Sequence, residues 1–227
     1  MTNLAIEHSH NSNNEAIFLP FSQIEQLYNI AQNGAAKSIS SMQQFLGINV
    51  DIHLNCLSFL SLPILIDRIN LYYRNHLGFH LRFSGEITGE IYTFFGEKDA
   101  TILIEKMLGH HRRFKYPRRF NRLEISVLAE LVNVLSNSFW RALTDKTAIN
   151  WTISPPTQIT NLERSLFYSA KIYPVDQFLV HFEYLIPDLD VRIQFIVLPT
   201  QKTLKKIFTK LAVLERTKNL AVDNFVS

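Results

Sequence analysis

A spaced set of polar residues occurs twice in this chain, and the repeat constrains the fold more than any other feature. The fuller copy is Ser126, Glu130 and Asn133, followed by Pro156, or Ser-x3-Glu-x2-Asn-x22-Pro. The fainter copy is Ser22, Gln26 and Asn29, with the same internal gaps and 104 positions earlier. Two helices at a fixed separation point to an internally duplicated chain. Each half alone would leave an apolar sheet face uncovered, so the halves are expected to share one sheet.

The segments between the two sets follow the same plan. Apolar residues Ile24, Leu27, Tyr28, Ala31, Ala35 and Ile39 recur at helical spacing, which predicts a first helix from about Phe21 to Phe45 with Gly47 as its stop. Alternation predicts strands at Phe79–Ser84 and Glu90–Phe95, punctuated by Gly85 and Gly89. A second helix is expected over Glu97–Leu108, and a third over Leu123–Leu143. Further strands are expected at Ile149–Ile153, Ser169–Tyr173, Phe178–Leu185 and Val191–Val197, before a fourth helix at Gln201–Leu211. The predicted organisation is a loose N-terminal tail (residues 1–20), one domain (21–213) and an amphipathic C-terminal tail (214–227). Within the domain, half one covers 21–109 and half two covers 123–213, joined by a basic connector (110–122).

On the third helix, Ser126, Glu130, Asn133, Asn137 and Arg141 fall on one narrow stripe, opposite Leu128, Leu131, Val132, Leu135, Phe139 and Leu143. The first helix repeats this with Ser22, Gln26, Asn29, Asn33 and Lys37. Such a stripe is ordinarily a solvated face. The repeated spacing and the proline at a fixed distance argue for more, because an acid and an amide three residues apart project side by side. Together they can grip a partner and position a water.

The pattern Ser-x3-Glu-x2-Asn-x22-Pro resembles the signature of the CheC/CheX/FliY family of chemotaxis phosphatases. The stretch Gln26-Leu-Tyr-Asn-Ile-Ala-Gln-Asn-Gly-Ala-Ala-Lys-Ser-Ile-Ser is similar to that family's Glu-x-x-Asn-Ile-x-x-x-x-Ala-x-x-x-Leu-Ser. The resemblance covers roughly Phe21 to Leu211. It implies an α+β, CheC-like fold: an internally duplicated, pseudo-two-fold domain with an antiparallel sheet and long flanking helices. It also implies an activity, hydrolysis of the aspartyl-phosphate of a CheY-like response-regulator receiver domain in chemotaxis or two-component signalling.

Under that resemblance Asn133 orients the attacking water, and Glu130 pairs with the receiver's active-site lysine. Ser126 and Pro156 shape the site. The chain itself would bind no cofactor, because the receiver supplies the divalent metal (Mg2+). A CheD-like deamidase is a second candidate partner, since some family members are stimulated by one. The first copy departs from the pattern: Gln26 replaces the acid, and Ile52 stands where the proline belongs. A glutamine makes no ion pair, so Ser22, Gln26 and Asn29 form a degenerate second site. The rival expectation is a non-catalytic module related to flagellar switch proteins, docking a receiver without chemistry.

The rest of the composition narrows the alternatives. Of 227 residues 47% are apolar and 19% charged, values of a globular chain. A net charge of +3 forces no polyanion-binding role, and the connector's six Lys and Arg from Arg112 to Arg122 read as a solvated loop, so no nucleic acid is expected. Steep salt dependence of binding would mark the weaker alternative, an adaptor for nucleic acid. The eight histidines lack the spacing of a metal site; His76 and His80 are expected to enter strands. The single Cys56 lies in an apolar stretch and reads as a buried small hydrophobe. With no basic-then-apolar leader and no apolar run of about 18 residues, a cytoplasmic protein without a membrane partner is expected.

Overall fold

Each half of the chain contributes a long helix, three strand positions and a second helix. The computed structural model describes residues 21–47, 49, 51–60, 64, 67, 76–109, 119–161, 164–166, 168–169 and 179–223. The elements are α1 (Phe21–Leu46), β1 (His53–Leu60), β2 (His76–Gly85), β3 (Gly89–Gly96), α2 (Glu97–Leu108), α3 (Arg122–Thr147), β4 (Trp151–Ile153), β5 (Thr157–Ile159), β6 (Leu179–Ile186), β7 (Val191–Pro199) and α4 (Gln201–Asp223). All seven strands join one antiparallel sheet in the order β1-β6-β7-β3-β2-β4, with β5 also pairing β2. The fold class is α+β.

The sheet order carries the duplication. Exchanging β1 with β4/β5, β2 with β6, and β3 with β7 leaves the order unchanged. The starts of β3 and β7 are 102 residues apart, those of β2 and β6 are 103, and those of α2 and α4 are 104. At the centre, Thr93 pairs with Phe195, a residue and its own duplicate, so the pseudo-two-fold axis passes through that pair.

Alternation along the strands sorts the two sheet faces. Leu77, Phe79, Leu81 and Phe83 of β2, Ile91 and Phe95 of β3, Phe182 and Tyr184 of β6, and Ile193 and Phe195 of β7 form one core with the helices. The other face is also buried, at Glu90, Tyr92, Phe94, Gln194, Ile196 and Leu198. Leu166 and Ser169, from the short helical stretch after β5, are buried with it.

The two long helices cross over the core. Leu27, Ile30, Ala31, Ala35, Ser38, Met42 and Leu46 are the buried stripe of α1, one face at helical spacing. Gly34 lets the helices touch: a Cβ there would lie 2.7 Å from the Phe139 main-chain Cα, one position from the duplicate of Gly34. On α3, Phe139 and Trp140 are buried, and Trp140 packs 4.5 Å from Phe83 and 5.1 Å from Trp151, ring centre to ring centre.

Several element boundaries differ from expectation for identifiable reasons. α3 starts at Arg122 because Asn121 and Glu124 form a reciprocal capping box, and it continues to Thr147, where Ala148 in the left-handed region caps it. The strand expected from Ile149 is only three residues long, Trp151–Ile153. Ser169, expected to open a strand, is helical instead: Asn161 accepts from the Arg164 amide and so starts a helical turn. The rest of that predicted strand, residues 170–173, lies outside the described residues. α4 runs to Asp223, twelve residues past the predicted end, because the amphipathic tail continues it. The N-terminal tail, most of the basic connector (110–118) and the Cys56 side chain also lie outside the described residues. Among the described residues no helix is long and apolar enough to cross a membrane.

Candidate functional site

The polar stripe of α3 faces away from the core, as its spacing requires. Leu128, Leu131, Val132, Leu135, Phe139 and Leu143 are buried, while Ser126 and Glu130 are exposed and Asn133 is half-buried. The helix is anchored at its capping box, by its apolar stripe and by its contact with α1, so its outer residues stand on a fixed base. Ser126 Oγ donates to the Arg122 carbonyl at 2.9 Å, which folds the hydroxyl back on the helix. Among the described residues Glu130 makes no ion pair or hydrogen bond. Asn133 is held from one side: the Asn137 amide donates to its Oδ1 at 2.9 Å and to its main-chain carbonyl at 2.8 Å.

Pro156 sits in the gap between β4 and β5. Both pieces pair with β2, so they occupy one edge position split in two. At the start of the gap, Ser154 N donates to the Arg82 carbonyl at 2.8 Å, and Ser154 Oγ accepts from Arg82 N at 2.9 Å. Pro155 and Pro156 have no N–H, so the ladder must stop there. The chain then resumes as β5, which packs against α3. Ile52, the counterpart of Pro156, is buried directly before β1, the counterpart strand, which runs as one element with a register shift between Leu54 and Cys56.

The first-half set lines a cleft. Ser22, Gln26, Asn29, Asn33 and Lys37 of α1 form one wall, facing Ala142, Asp145 and Lys146 of α3 and Leu214 of α4, around about 670 Å³. Lys37 and Asp145 are ion-paired between the two long helices. That pair was not legible in the sequence, because it joins residues 108 apart. The two sets thus lie on different long helices, and Ser126, Glu130 and Asn133 do not line this cleft.

A second polar cluster lies on the far face of the sheet. Glu90, buried on β3, accepts from the Tyr92 hydroxyl at 3.0 Å and from Ser169, with His80 Nε2 at 3.5 Å and Arg82 Nε at 3.6 Å. Burial opposes ionisation of Glu90. His80, Ser169 and Tyr92 together outweigh it, and hold the carboxyl down at about 2 from an ordinary 4.5. Burial pushes the Tyr92 hydroxyl well above its usual range, reinforced by the Glu90 charge. Beside it, His181 Nε2 contacts Gln194 Oε1 at 2.6 Å, and Gln194 donates to Glu183 at 2.6 Å. Ser169, bonded to Glu90 and Tyr92, ties the far-face segment to the sheet, while His181, Gln194 and Glu183 link β6 to β7. His76 and His80 do lie on a strand, as expected.

No family model matches the chain, and no curated protein matches it. Solved structures do. FliY of Thermotoga maritima superposes with a TM-score of 0.67 at 13% identity, covering 86% of this chain and 98% of that one. FliM of H. pylori, in its complex with SpeE, gives 0.65 at 12% identity, covering 86% and 97%. The FliM middle domain of H. pylori gives 0.61 at 14% identity, covering 85% and 99%. The chain therefore has the fold shared by FliY and the FliM middle domain.

Proposed function

We propose that the chain is a phosphatase acting on the aspartyl-phosphate of a CheY-like receiver domain, with Glu130 and Asn133 as its working pair. The observation that carries this reading is the state of that pair. An exposed carboxylate without a partner among the described residues stands one turn from an amide held by a neighbour, on the outer face of a capped helix. The motif resemblance supplies the substrate class.

The chemistry asks little of the helper. The receiver contributes the acyl phosphate and its divalent metal. Glu130 anchors the receiver by pairing with a lysine, and Asn133 holds one water in line with phosphorus. The water oxygen forms a new P–O bond, the acyl P–O bond breaks, the aspartate carboxylate leaves, and the water's protons remain with the phosphate product. An amide suits the task because it donates and accepts at once without needing a shifted pKa. Asn133→Ala is expected to slow receiver dephosphorylation about 100- to 1000-fold while leaving thermal unfolding unchanged. Near-wild-type turnover in that variant would overturn the assignment.

A second reading has its own support. The matched fold includes the FliM middle domain, and H. pylori FliM has been crystallised in complex with FliG. The first-half set has lost its acid and its proline, a step toward a surface that docks without chemistry. Under this reading the chain binds a receiver or a switch component and leaves the phosphate in place. Binding of the phosphorylated receiver with no acceleration of phosphate loss selects it.

A further inference from the structure

The amide pair Asn133 and Asn137 repeats the pair Asn29 and Asn33, but the two pairs differ in engagement. Asn137 Nδ2 lies 2.8 Å from the Asn133 main-chain carbonyl and 2.9 Å from Asn133 Oδ1. In the first half, among the described residues, neither Asn29 nor Asn33 makes a side-chain hydrogen bond. The duplicated spacing alone therefore does not produce the contact.

The main-chain carbonyl fixes both amide orientations. A carbonyl oxygen only accepts, so the Asn137 atom beside it must be the NH2 group. That NH2 also faces the Asn133 amide, whose near atom must then be the acceptor Oδ1. The Asn133 NH2 is thereby turned away from Asn137, and one lone pair of Oδ1 remains for a second donor. Without Asn137 no hydrogen bond among the described residues opposes a half-turn of the Asn133 amide, which exchanges the acceptor Oδ1 for the donor Nδ2.

We infer that Asn137 is a positioning residue, holding the Asn133 amide in the one orientation that lets Oδ1 accept from the attacking water while Nδ2 donates. This rests on the phosphatase reading above and adds a residue that the four-position motif does not contain. Asn137 touches neither water nor phosphate in this role; it acts through Asn133.

The test uses the full chain with a phosphorylated CheY-type receiver. Asn137→Leu is neutral and nearly isosteric but cannot donate, and it is expected to lower kcat about tenfold with KM unchanged. Asn137→Gln keeps a donor on a longer arm and is expected to recover most of the loss. The Asn133 side-chain amide resonances, followed by 15N NMR, read the orientation without reference to activity. They are expected to move in Asn137→Leu and to stay near their wild-type positions in Asn137→Gln.

Wild-type kcat in Asn137→Leu, in a protein that Asn133→Ala inactivates, overturns the positioning role and leaves the phosphatase reading standing. A rise in KM alone overturns it in favour of docking or packing. No acceleration by the wild-type chain overturns the phosphatase reading, and the role of Asn137 falls with it.

Discussion

At the scale of single residues, the two members of the proposed pair should fail in different ways. On the proposed mechanism Glu130 contributes a charge and Asn133 an orientation, so the kinetic signatures separate. Glu130→Gln makes the second half match the first at this position. It is expected to raise KM for the receiver about tenfold with kcat little changed, because an anchoring ion pair is lost and the water is still held. A matching fall in kcat would show that the carboxylate takes part in the chemical step.

The buried Glu90 makes a different kind of prediction, about stability. Its carboxyl is held at about 2 against an ordinary 4.5. A depressed acid contributes stability that is complete above the ordinary value and is lost as pH falls toward the folded one. The contribution is on the order of 2–3 kcal/mol and disappears between about pH 4.5 and pH 2. Urea midpoints at pH 6 and pH 3 check this: the wild-type midpoint is expected to fall more than that of Glu90→Gln. An equal fall in both would place the acid sensitivity elsewhere.

At the scale of elements, the crossing of α1 and α3 depends on one missing side chain. A Cβ on Gly34 would meet the Phe139 main chain at 2.7 Å, and main chain cannot rotate aside. Gly34→Ala is expected to destabilise the fold by about 1–3 kcal/mol despite its better helix propensity, read as a lower denaturant midpoint. A stabilised variant would show that the helices separate freely.

The same elements explain what the sequence could and could not convey. The two long helices were legible because their apolar stripes and their duplicated polar sets reinforce each other. Helix ends were less so: the αL cap at Ala148 and the run of α4 past Leu211 carry no sequence mark as strong as glycine. β1 was not expected, because its apolar alternation breaks where Leu57 follows Cys56, and β5 is three residues long, too short for alternation to declare itself. The outward placement of Ser126, Glu130 and Asn133 followed from periodicity. The Asn137 contact depends on side-chain geometry that its i,i+4 spacing leaves open, and the Lys37–Asp145 pair and the Glu90–Ser169 contact join residues distant in sequence.

At the scale of the whole molecule, the pseudo-two-fold gives the chain two equivalent places for a site and fills them unequally. The sheet order is unchanged by exchanging the halves, and the central Thr93–Phe195 pair sits on the axis. One place carries an acid, an oriented amide and a proline-broken edge strand. The other carries Gln26, a cleft bridged by Lys37 and Asp145, and a continuous β1 behind Ile52. On the proposed function the asymmetry is functional: one half works, and the other supplies the packing that holds it.

The phosphatase reading is tested most directly by phosphate loss from a phosphorylated CheY-type receiver, measured alone, with the wild-type chain and with Asn133→Ala. Acceleration by the wild type and not by the variant is the predicted result. A wild-type chain that binds the receiver and leaves its phosphate lifetime unchanged would contradict the phosphatase and leave a docking module in its place.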